Sequence, residues 1–408
     1  MTVGPQGGPP ARGSVPEIFL AFLRLGLTSF GGPVAHLGYF REEFVVRRRW
    51  LDDAAYGELV ALCQFLPGPA SSQVGLGIGL LRGGHAGSVA AWLGFTLPSA
   101  VAMLLFALSI EGVDDVATGG WLRGLKAVAV AVVAHAVIGM ARAFSIGAWR
   151  APMTLAAAVI VFLVPGFAGQ LAAIGLGVAA GLVAARVADS PPPAPTMGAT
   201  AIGRRPAVLA LVIFATLFVS LPLAARATGW IGLEIFDAFY RTGSLVFGGG
   251  HVILPLLEAV VVDPGWVDED RFLAGYSAAQ AVPGPLFTFA AYLGAAQTAW
   301  PAPLAGAALA LAGIFLPSFL LVAGLLPVWQ RLRGRPRVAG ALAGVNAAVV
   351  GLLLAAFVDP VLSAGVRGPG DAALAGLGFL LLSVLRWPAW AVVLAGAAGG
   401  TALAALGG

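Results

Sequence analysis

The sequence predicts an all-α polytopic membrane protein with two inverted-topology repeats, based on its composition, its apolar runs and an internal repeat. Of its 408 residues, 59% are hydrophobic and only 10% are charged, and the mean hydropathy is +0.92. A soluble domain carries about 25% charged residues. Several apolar runs approach or exceed the roughly 20 residues that cross a bilayer. The plainest are 86–110, 121–144, 167–187, 208–224, 303–327 and 388–406.

The remaining composition is typical of a membrane bundle. The chain has 57 glycines and 28 prolines, many inside apolar segments, where small residues let helices approach closely and prolines break them. The net charge of +4 comes from short basic clusters beside apolar segments, so we expect no nucleic-acid partner. The single cysteine, Cys63, excludes an internal disulfide. Residues 1–15 lack the apolar core of a signal peptide and are expected to form a disordered tail.

The two halves of the chain share motifs in the same order. Residues 22–33 resemble 239–250, and Trp50-Leu-Asp52 resembles Trp266-Val-Asp268. Two proline-containing motifs recur as well, 64–69 with 280–285 and 94–99 with 313–318. We therefore predict repeats at 16–187 and 230–408, separated by a Pro-rich linker at 188–205. An unmatched apolar segment at 206–226 is expected to form a connecting transmembrane helix.

Equivalent loops of the two repeats carry opposite charge. Arg41 and residues 47–49 are basic, whereas the matching loop contains Glu258, Asp263 and residues 268–270. The next pair of loops reverses the sign, with acidic residues Glu111, Asp114 and Asp115 and basic residues Arg331, Arg333, Arg335 and Arg337. Because Lys and Arg mark cytoplasmic loops, this predicts halves of opposite orientation, with the N-terminus in the cytoplasm and the C-terminus outside.

Two segments of each half are interrupted near their midpoints. In the first half, 16–46 is interrupted by a Phe-Gly-Gly-Pro motif ending at Pro33, and 52–81 by Pro67-Gly-Pro69. Arms of about 15 residues extend roughly 22 Å as helix, which is short for a full span. We therefore expect two broken or re-entrant helical hairpins per half, with tips meeting inside the membrane, followed by four fuller crossings.

Such breaks predict an anion site. A break leaves free N–H groups and partial positive charge at the start of the next half-helix, which suits an anion. Hydroxyls at Ser71, Ser72 and Thr288 add donors. Glycines that permit close backbone approach are Gly31, Gly32, Gly68, Gly248, Gly249 and Gly284. A kinked helix without a ligand is the alternative, but the recurrence of both motif types favours a central site between the repeats.

Several polar side chains accompany these motifs. Arg24 and Arg241 occupy matching apolar segments, where an arginine costs roughly 2.5–3.5 kcal/mol. They either bind an anionic substrate, or snorkel to the surface or hold a backbone carbonyl. Gln64 and Gln280 directly precede the breaks and are candidates to orient the substrate or to cap freed carbonyls.

Two further residues are candidates for proton coupling. These are Glu58, whose alternative is a salt bridge to Arg24, and His36, whose alternative is simple packing. Lys126 lies early in an apolar segment and is expected to snorkel to the surface.

Catalytic motifs do not appear in the sequence. It contains neither a P-loop nor a His-Glu-x-x-His motif, and its four histidines and one cysteine are scattered. We therefore expect no enzyme activity, no metal and no cofactor. Without a nucleotide-binding motif, transport would depend on ion gradients.

The motif set as a whole resembles the chromate ion transporter family, in its long, two-domain form. The resemblance is carried by residues 29–36, the Arg-Arg-Trp-Leu-Asp run that ends at Asp52, 63–73, 92–99, 247–250 and 280–285. It implies export of chromate across the bacterial inner membrane, driven by the proton motive force, with sulfate as a look-alike anion. The expected partners are thus chromate, protons and the lipid bilayer, and a homodimer is left open. Sulfate or another tetrahedral oxyanion is the alternative substrate, and a membrane-embedded enzyme is less well supported.

Overall fold

The helices of the first half break where the hairpin motifs predict. The computed structural model describes residues 13–29, 32–110, 120–164, 167–185, 203–247, 253–300, 302–329 and 335–405. Helices α1 (Val15–Thr28) and α2 (Gly32–Arg41) flank the Gly motif, and a π-helical stretch, Glu42–Arg47, extends α2. Helices α3 (Asp53–Phe65) and α4 (Ala70–Ile110) flank Pro67-Gly-Pro69. Asp52 caps α3 by accepting the N–H of Ala55.

The remaining helices complete the first half, connect the two halves and repeat the same order in the second half. The first half ends with α5 (Gly120–Phe144), α6 (Arg150–Leu163) and α7 (Phe167–Ala184). Helix α8 (Arg204–Thr228) connects the halves and is slightly longer than the predicted 206–226. The second half contains α9 (Ile231–Leu245), α10 (Ile253–Val261), α11 (Glu269–Ala281), α12 (Phe289–Ala296), α13 (Pro303–Leu325), α14 (Pro336–Ala356), α15 (Pro369–Ser383) and α16 (Ala389–Ala405).

Helix length and composition agree with a multi-pass membrane protein. Helices α4, α5, α8, α13 and α14 are long and apolar enough to cross a bilayer. Helix α4 is interrupted at Gly83 and Gly84, whose backbone is not helical. Its two segments therefore correspond to α12 and α13 of the second half. The all-α membrane architecture that the sequence predicts is confirmed, whereas the opposite orientation of the halves stays a prediction.

The two halves exchange helices. Helix α5 of the first half packs against α15 and α16 of the second, and α14 of the second half packs against α6 and α7 of the first. Both exchanges are made by pairs of glycines four residues apart. Gly120 and Gly124 face Gly396 and Gly400, and the matching contact joins 177 and 181 to 340 and 344. Such pairs let backbones approach closely in a membrane.

Helix α8 makes the two halves unequal. It packs along α9 and α13, and Phe214 of α8 accepts a hydrogen bond from the hydroxyl of Tyr240 at 3.0 Å. In the first half, the matching outer faces of α1 and α4 leave Leu20, Leu27 and Leu105 exposed. The connecting helix therefore covers one flank of the bundle, while the matching flank exposes apolar side chains suited to lipid.

The Arg-Arg-Trp motif forms a compact cluster at one end of the molecule. The guanidinium groups of Arg48 and Arg82 lie 5.4 and 5.1 Å from the centre of the Trp50 ring, within cation–π range. Arg48 and Arg47 also pair with Glu43, at 2.6 and 3.1 Å. Burial alone would raise the pKa of the Glu43 carboxyl, but the two arginines hold it below its usual value. The motif thus fixes the turn that leads into α3.

The exchanged contact of α5 predicts a position-specific effect of adding a methyl group. A Cβ at Gly124 would overlap the backbone carbonyl of Gly396, whereas one at Gly139 on the same helix would meet open space. We expect Gly124→Ala to destabilise the protein by roughly 1–3 kcal/mol through overpacking. Thermal unfolding in detergent measures the effect, with Gly139→Ala as the matched control. Equal melting temperatures for the two variants would contradict the exchanged packing.

Candidate functional site

Each Pro-Gly-Pro break is hydrogen-bonded to the opposite half. The backbone N–H of Gly68 donates to the carbonyl of Val246 at 2.6 Å, and that of Gly284 donates to the carbonyl of Ser29 at 2.9 Å. Ser29 and Val246 are matching residues, because they follow α1 and α9 directly. The breaks of the two halves therefore meet. In each Pro-Gly-Pro break, the glycine N–H is satisfied by a carbonyl of the opposite half.

The hydroxyls of Ser99 and Ser318 lie against the same two glycines. Gly68 and Gly284 have φ angles of +120° and +100°, in the region that favours glycine. A Cβ at Gly68 would lie 2.7 Å from Ser318 Oγ, and one at Gly284 would lie 2.7 Å from Ser99 Oγ. The Leu-Pro-Ser motif of each half thus covers the Pro-Gly-Pro break of the other.

His36 connects the first Gly motif to the start of α4. Its ring is 1% exposed, with Nε2 3.2 Å from the carbonyl of Ser29 and Nδ1 3.3 Å from Ser71 Oγ. Because a carbonyl only accepts, Nε2 carries a hydrogen, and in the neutral ring Nδ1 then accepts from the serine. Phe95 packs edge-on against the ring at 5.2 Å. His36 therefore braces the hairpin tip beside Gly284.

Several buried polar atoms around these breaks have no hydrogen-bond partner among the described residues. They are Ser29 Oγ, Ser72 Oγ, Thr96 Oγ1 and Gln73 Oε1. Ser29, Ser72 and Thr96 are each less than 5% exposed. A buried polar group without a partner costs about 1–3 kcal/mol. The three hydroxyls are therefore available to donate to a ligand, which suits an oxyanion, whereas Gln73 Oε1 can only accept.

The starts of the two half-helices differ. In the first half, the amide of Gln73 donates to the carbonyl of Pro67 at 2.6 Å and lies 3.3 Å from Ser318 Oγ. In the second half, Thr288 stands in a short 3₁₀ turn, and its hydroxyl donates to the carbonyl of Pro285 at 2.8 Å. The hydroxyl of Thr288 is thus engaged within its own loop, whereas Ser72 Oγ has no hydrogen-bond partner in the part of the chain that the structure describes.

The matching arginines lie in different surroundings. Arg24 is exposed on the face of α1 that also exposes Leu20 and Leu27. Arg241 is half-buried and pairs with Asp237 one turn earlier in α9, at 2.6 Å. Two causes are visible: α8 packs on α9 but not on α1, and position 20 is leucine where position 237 is aspartate. The arginines match in sequence but not in environment.

The two glutamines also differ, and Glu58 reaches the second half. Gln64 is exposed, whereas Gln280 is partly buried. Glu58 is 6% exposed, and its Oε2 accepts a hydrogen bond from the indole of Trp329 at 3.2 Å. Phe65 packs against the same indole, with ring centres 4.9 Å apart. The carboxylate therefore lies at a junction between the two halves, in contact with the segment that follows α13.

Three predicted site residues, Gly31, Gly248 and Gly249, lie outside the described residues. Gly32 is described, and its φ of +79° begins α2 in a conformation that favours glycine.

Lys126 corrects one expectation. The side chain does not snorkel to the surface but is 5% exposed and pairs with Asp270 of α11 at 2.8 Å. Asp270 also pairs with Arg367 at 3.3 Å, and Asp371 pairs with Arg123. The lysine is buried because α5 crosses into the second half, where acidic residues of α11 and α15 meet it.

Comparison with known proteins gives the family. The model described as "Chromate transporter" matches residues 16–185 and 233–401, which together make up most of the chain. The chain belongs to the chromate transporter family. It is therefore a multi-pass membrane transporter and not an enzyme.

Named relatives cover nearly the same length. The chain is 30% identical to a "Chromate transport protein" of Pseudomonas aeruginosa, over 86% of this chain and 82% of that one. It is 27% identical to a "Chromate transport protein" of Cupriavidus metallidurans, over 84% and 81%. A "Probable chromate transport protein" of Synechococcus elongatus is 28% identical, over 85% and 84%. No solved structure matches the chain.

In this chromate transporter family member, the broken motifs contact several residues that the sequence did not single out as site candidates. Gln73, Thr96, Ser99 and Ser318 are common residue types in apolar helices, and Trp329 has no matching tryptophan in the first half. The recurrence of Leu-Pro-Ser at 97–99 and 316–318 was the available signal for the two serines.

Adding a side chain at Gly284 is predicted to reduce transport because it crowds Ser99, and not only because it strains the backbone. Gly284→Ala adds a methyl group against Ser99 Oγ, whereas Gly265→Ala has a similarly positive φ of +76° in open space. Both variants carry about 1–2 kcal/mol of backbone strain. We expect only Gly284→Ala to reduce chromate transport by more than about tenfold, measured in vesicles at matched protein levels. Equal transport by both variants would contradict the role of this contact.

Proposed function

We propose that this protein exports chromate across the inner membrane, driven by the proton motive force. The observation that carries the proposal is the meeting of the broken motifs of both halves, beside buried hydroxyl groups that have no partner among the described residues. Family membership supports the choice of chromate, because the relatives above carry that name. The substrate is an oxyanion with two negative charges and four oxygen acceptors, which matches a site rich in hydrogen-bond donors.

The proposed site takes the anion at the start of α4. The first N–H groups of this helix have no partner in the helix itself and carry partial positive charge. Ser72 and Ser29 add hydroxyl donors. The partly buried side chain of Gln280 is proposed to contact the anion from the second half. The full proposed set is Arg24, Gly31, Gly32, Gln64, Gly68, Ser71, Ser72, Arg241, Gly248, Gly249, Gln280, Gly284 and Thr288.

Alternating access would follow from the two-fold plan of the chain. The exchanged contacts of α5 and α14 repeat the same packing in both halves, and the loop charges predict that the halves face opposite ways. In such transporters one repeat rocks against the other around a fixed site. The proposed site contains hydrogen bonds between the two halves. Movement of one half against the other would therefore change the side of the membrane from which the site can be reached.

Proton coupling is proposed for Glu58, with His36 as the second candidate. Glu58 is buried and contacts Trp329 of the other half, so a change in its charge would act on the junction. His36 already makes two hydrogen bonds at the hairpin tip, and these favour a bracing role in the described state.

Sulfate is the alternative substrate. It has the same charge and tetrahedral shape as chromate, so every donor named above would serve it equally. Competition between the two anions distinguishes the alternatives.

The central test is accumulation of labelled chromate in inverted vesicles. Inversion turns export into uptake, and we expect accumulation only when a proton gradient is imposed. Unlabelled sulfate should compete weakly if chromate is the preferred anion. Absence of gradient-dependent accumulation, in vesicles that contain the folded protein, would contradict the proposal. Stronger inhibition by sulfate than by unlabelled chromate would favour the alternative substrate.

The same assay tests Glu58. Glu58→Gln keeps an oxygen acceptor for the Trp329 indole, but its neutral amide cannot take up and release a proton as a carboxylate does. We expect chromate movement that no longer responds to the proton gradient, with at least about a tenfold loss of driven accumulation. Glu42→Gln, at an exposed carboxylate of the first half, is the matched control and should behave as the parent. Full gradient dependence in Glu58→Gln would remove Glu58 from the coupling mechanism.

A further inference from the structure

A cavity lies beside the end of α4, away from the broken motifs. Its volume is about 300 Å³. The walls come from α4, α11 and the segment after α12, and they include Ala107, Ile110, Arg271, Gln297, Thr298 and Trp300. Because α11 carries Gln280 at its other end, the cavity and the central site lie at opposite ends of one helix.

Arg271 is the one charged side chain among the described residues that line this cavity. Its side chain is 31% exposed, and its Nε lies 3.3 Å from a carboxylate oxygen of Asp268, which is 58% exposed. The other oxygen of Asp268 accepts the backbone N–H of Arg271 at 2.8 Å. The aspartate therefore fixes the position of the guanidinium group but is itself largely in contact with solvent.

The other polar lining groups build the wall. The side-chain amide of Gln297 donates to the carbonyl of Trp300 at 3.0 Å and accepts its N–H at 2.7 Å. The hydroxyl of Thr298 donates to the carbonyl of Trp266 at 3.3 Å. These bonds hold the segment after α12 in place. This segment is thus a fixed wall of the cavity that Arg271 lines from α11.

The matching position in the other half is filled. When the two Leu-Pro-Ser motifs are aligned, Ile110 at the end of α4 corresponds to Trp329, which follows α13. Ile110 lines the cavity, whereas Trp329 is 4% exposed and packs against Phe65 and Glu58. The junction of α3 with the end of the long helix is therefore closed, and the equivalent junction of α11 is open.

We propose that the cavity beside Arg271, at the end of α11 opposite the central site, is a second site for a tetrahedral oxyanion and forms the mouth of the transport route. The inference rests on the proposed function, since it assigns a place on the path of the same anion. A guanidinium group offers paired N–H donors that match two oxygens of such an anion. The anion must compete with Asp268 for Arg271, so binding is weak. Weak binding at the mouth favours release.

The test measures binding at the mouth directly, without transport. A ¹⁹F-labelled neutral maleimide is attached to Ala299→Cys, at the rim of the cavity, in a Cys63→Ser background of the full-length protein. Chromate and, separately, sulfate are titrated into the purified protein while the ¹⁹F resonance is followed. We expect a saturable shift with either anion. Arg271→Gln should raise the half-saturating concentration about tenfold, which is about 1.4 kcal/mol.

Two further variants make the result specific. Arg271→Lys retains the charge and should lie closer to the parent than Arg271→Gln. Arg41→Gln removes an exposed arginine that also pairs with an aspartate, Asp53, and should leave the titration unchanged. An unsaturable shift, or equal titrations for Arg271→Gln and the parent, would overturn the site in a protein that transports chromate. A saturable, Arg271-dependent shift in a protein without transport would instead overturn the proposed function.

Discussion

The structure depends on one constraint: a helix that breaks inside a membrane must find partners for its open backbone groups. Water is not available in the hydrocarbon region to supply them. Here the partners come from the opposite half, through the bonds from Gly68 to Val246 and from Gly284 to Ser29. Neither half could form its broken hairpins alone without leaving these groups unsatisfied. The position of the candidate site follows from this mutual dependence.

The exchange of α5 and α14 strengthens the same dependence. Each long helix buries its glycine face against the other half, so the halves share one apolar core that extends from α4 to α16. A second core of first-half residues includes Leu321, Val322 and Trp329 of the second half. The two halves are therefore interlocked through their exchanged helices.

Much of this plan could be predicted from the sequence, because its strongest signals are local. Pro67-Gly-Pro69 and its repeat ended helices where predicted, and the apolar runs gave the long helices. The partners of these motifs could not be predicted, since they depend on packing between distant segments. Lys126 shows the difference: its own segment favours snorkelling, but α5 crosses to the acidic residues of the second half.

The matching arginines show a second limit. Arg24 and Arg241 are equivalent in the repeat, and sequence comparison treats them alike. Helix α8 has no counterpart, so it changes the surroundings of α9 and leaves those of α1 open. A repeat therefore transfers backbone geometry more reliably than it transfers the environment of a side chain.

The exchange of helices also sets the order in which the protein matures. Helix α5 is made early, yet its partners α15 and α16 come much later in the chain. During synthesis, its glycine face must be covered by lipid or by an assisting protein. The ion pair between Lys126 and Asp270 can form only after α11 has been made. The first half therefore reaches its final packing only when the C-terminal helices enter the membrane. Synthesis of these later helices is thus itself a step in assembling the bundle that holds the candidate site.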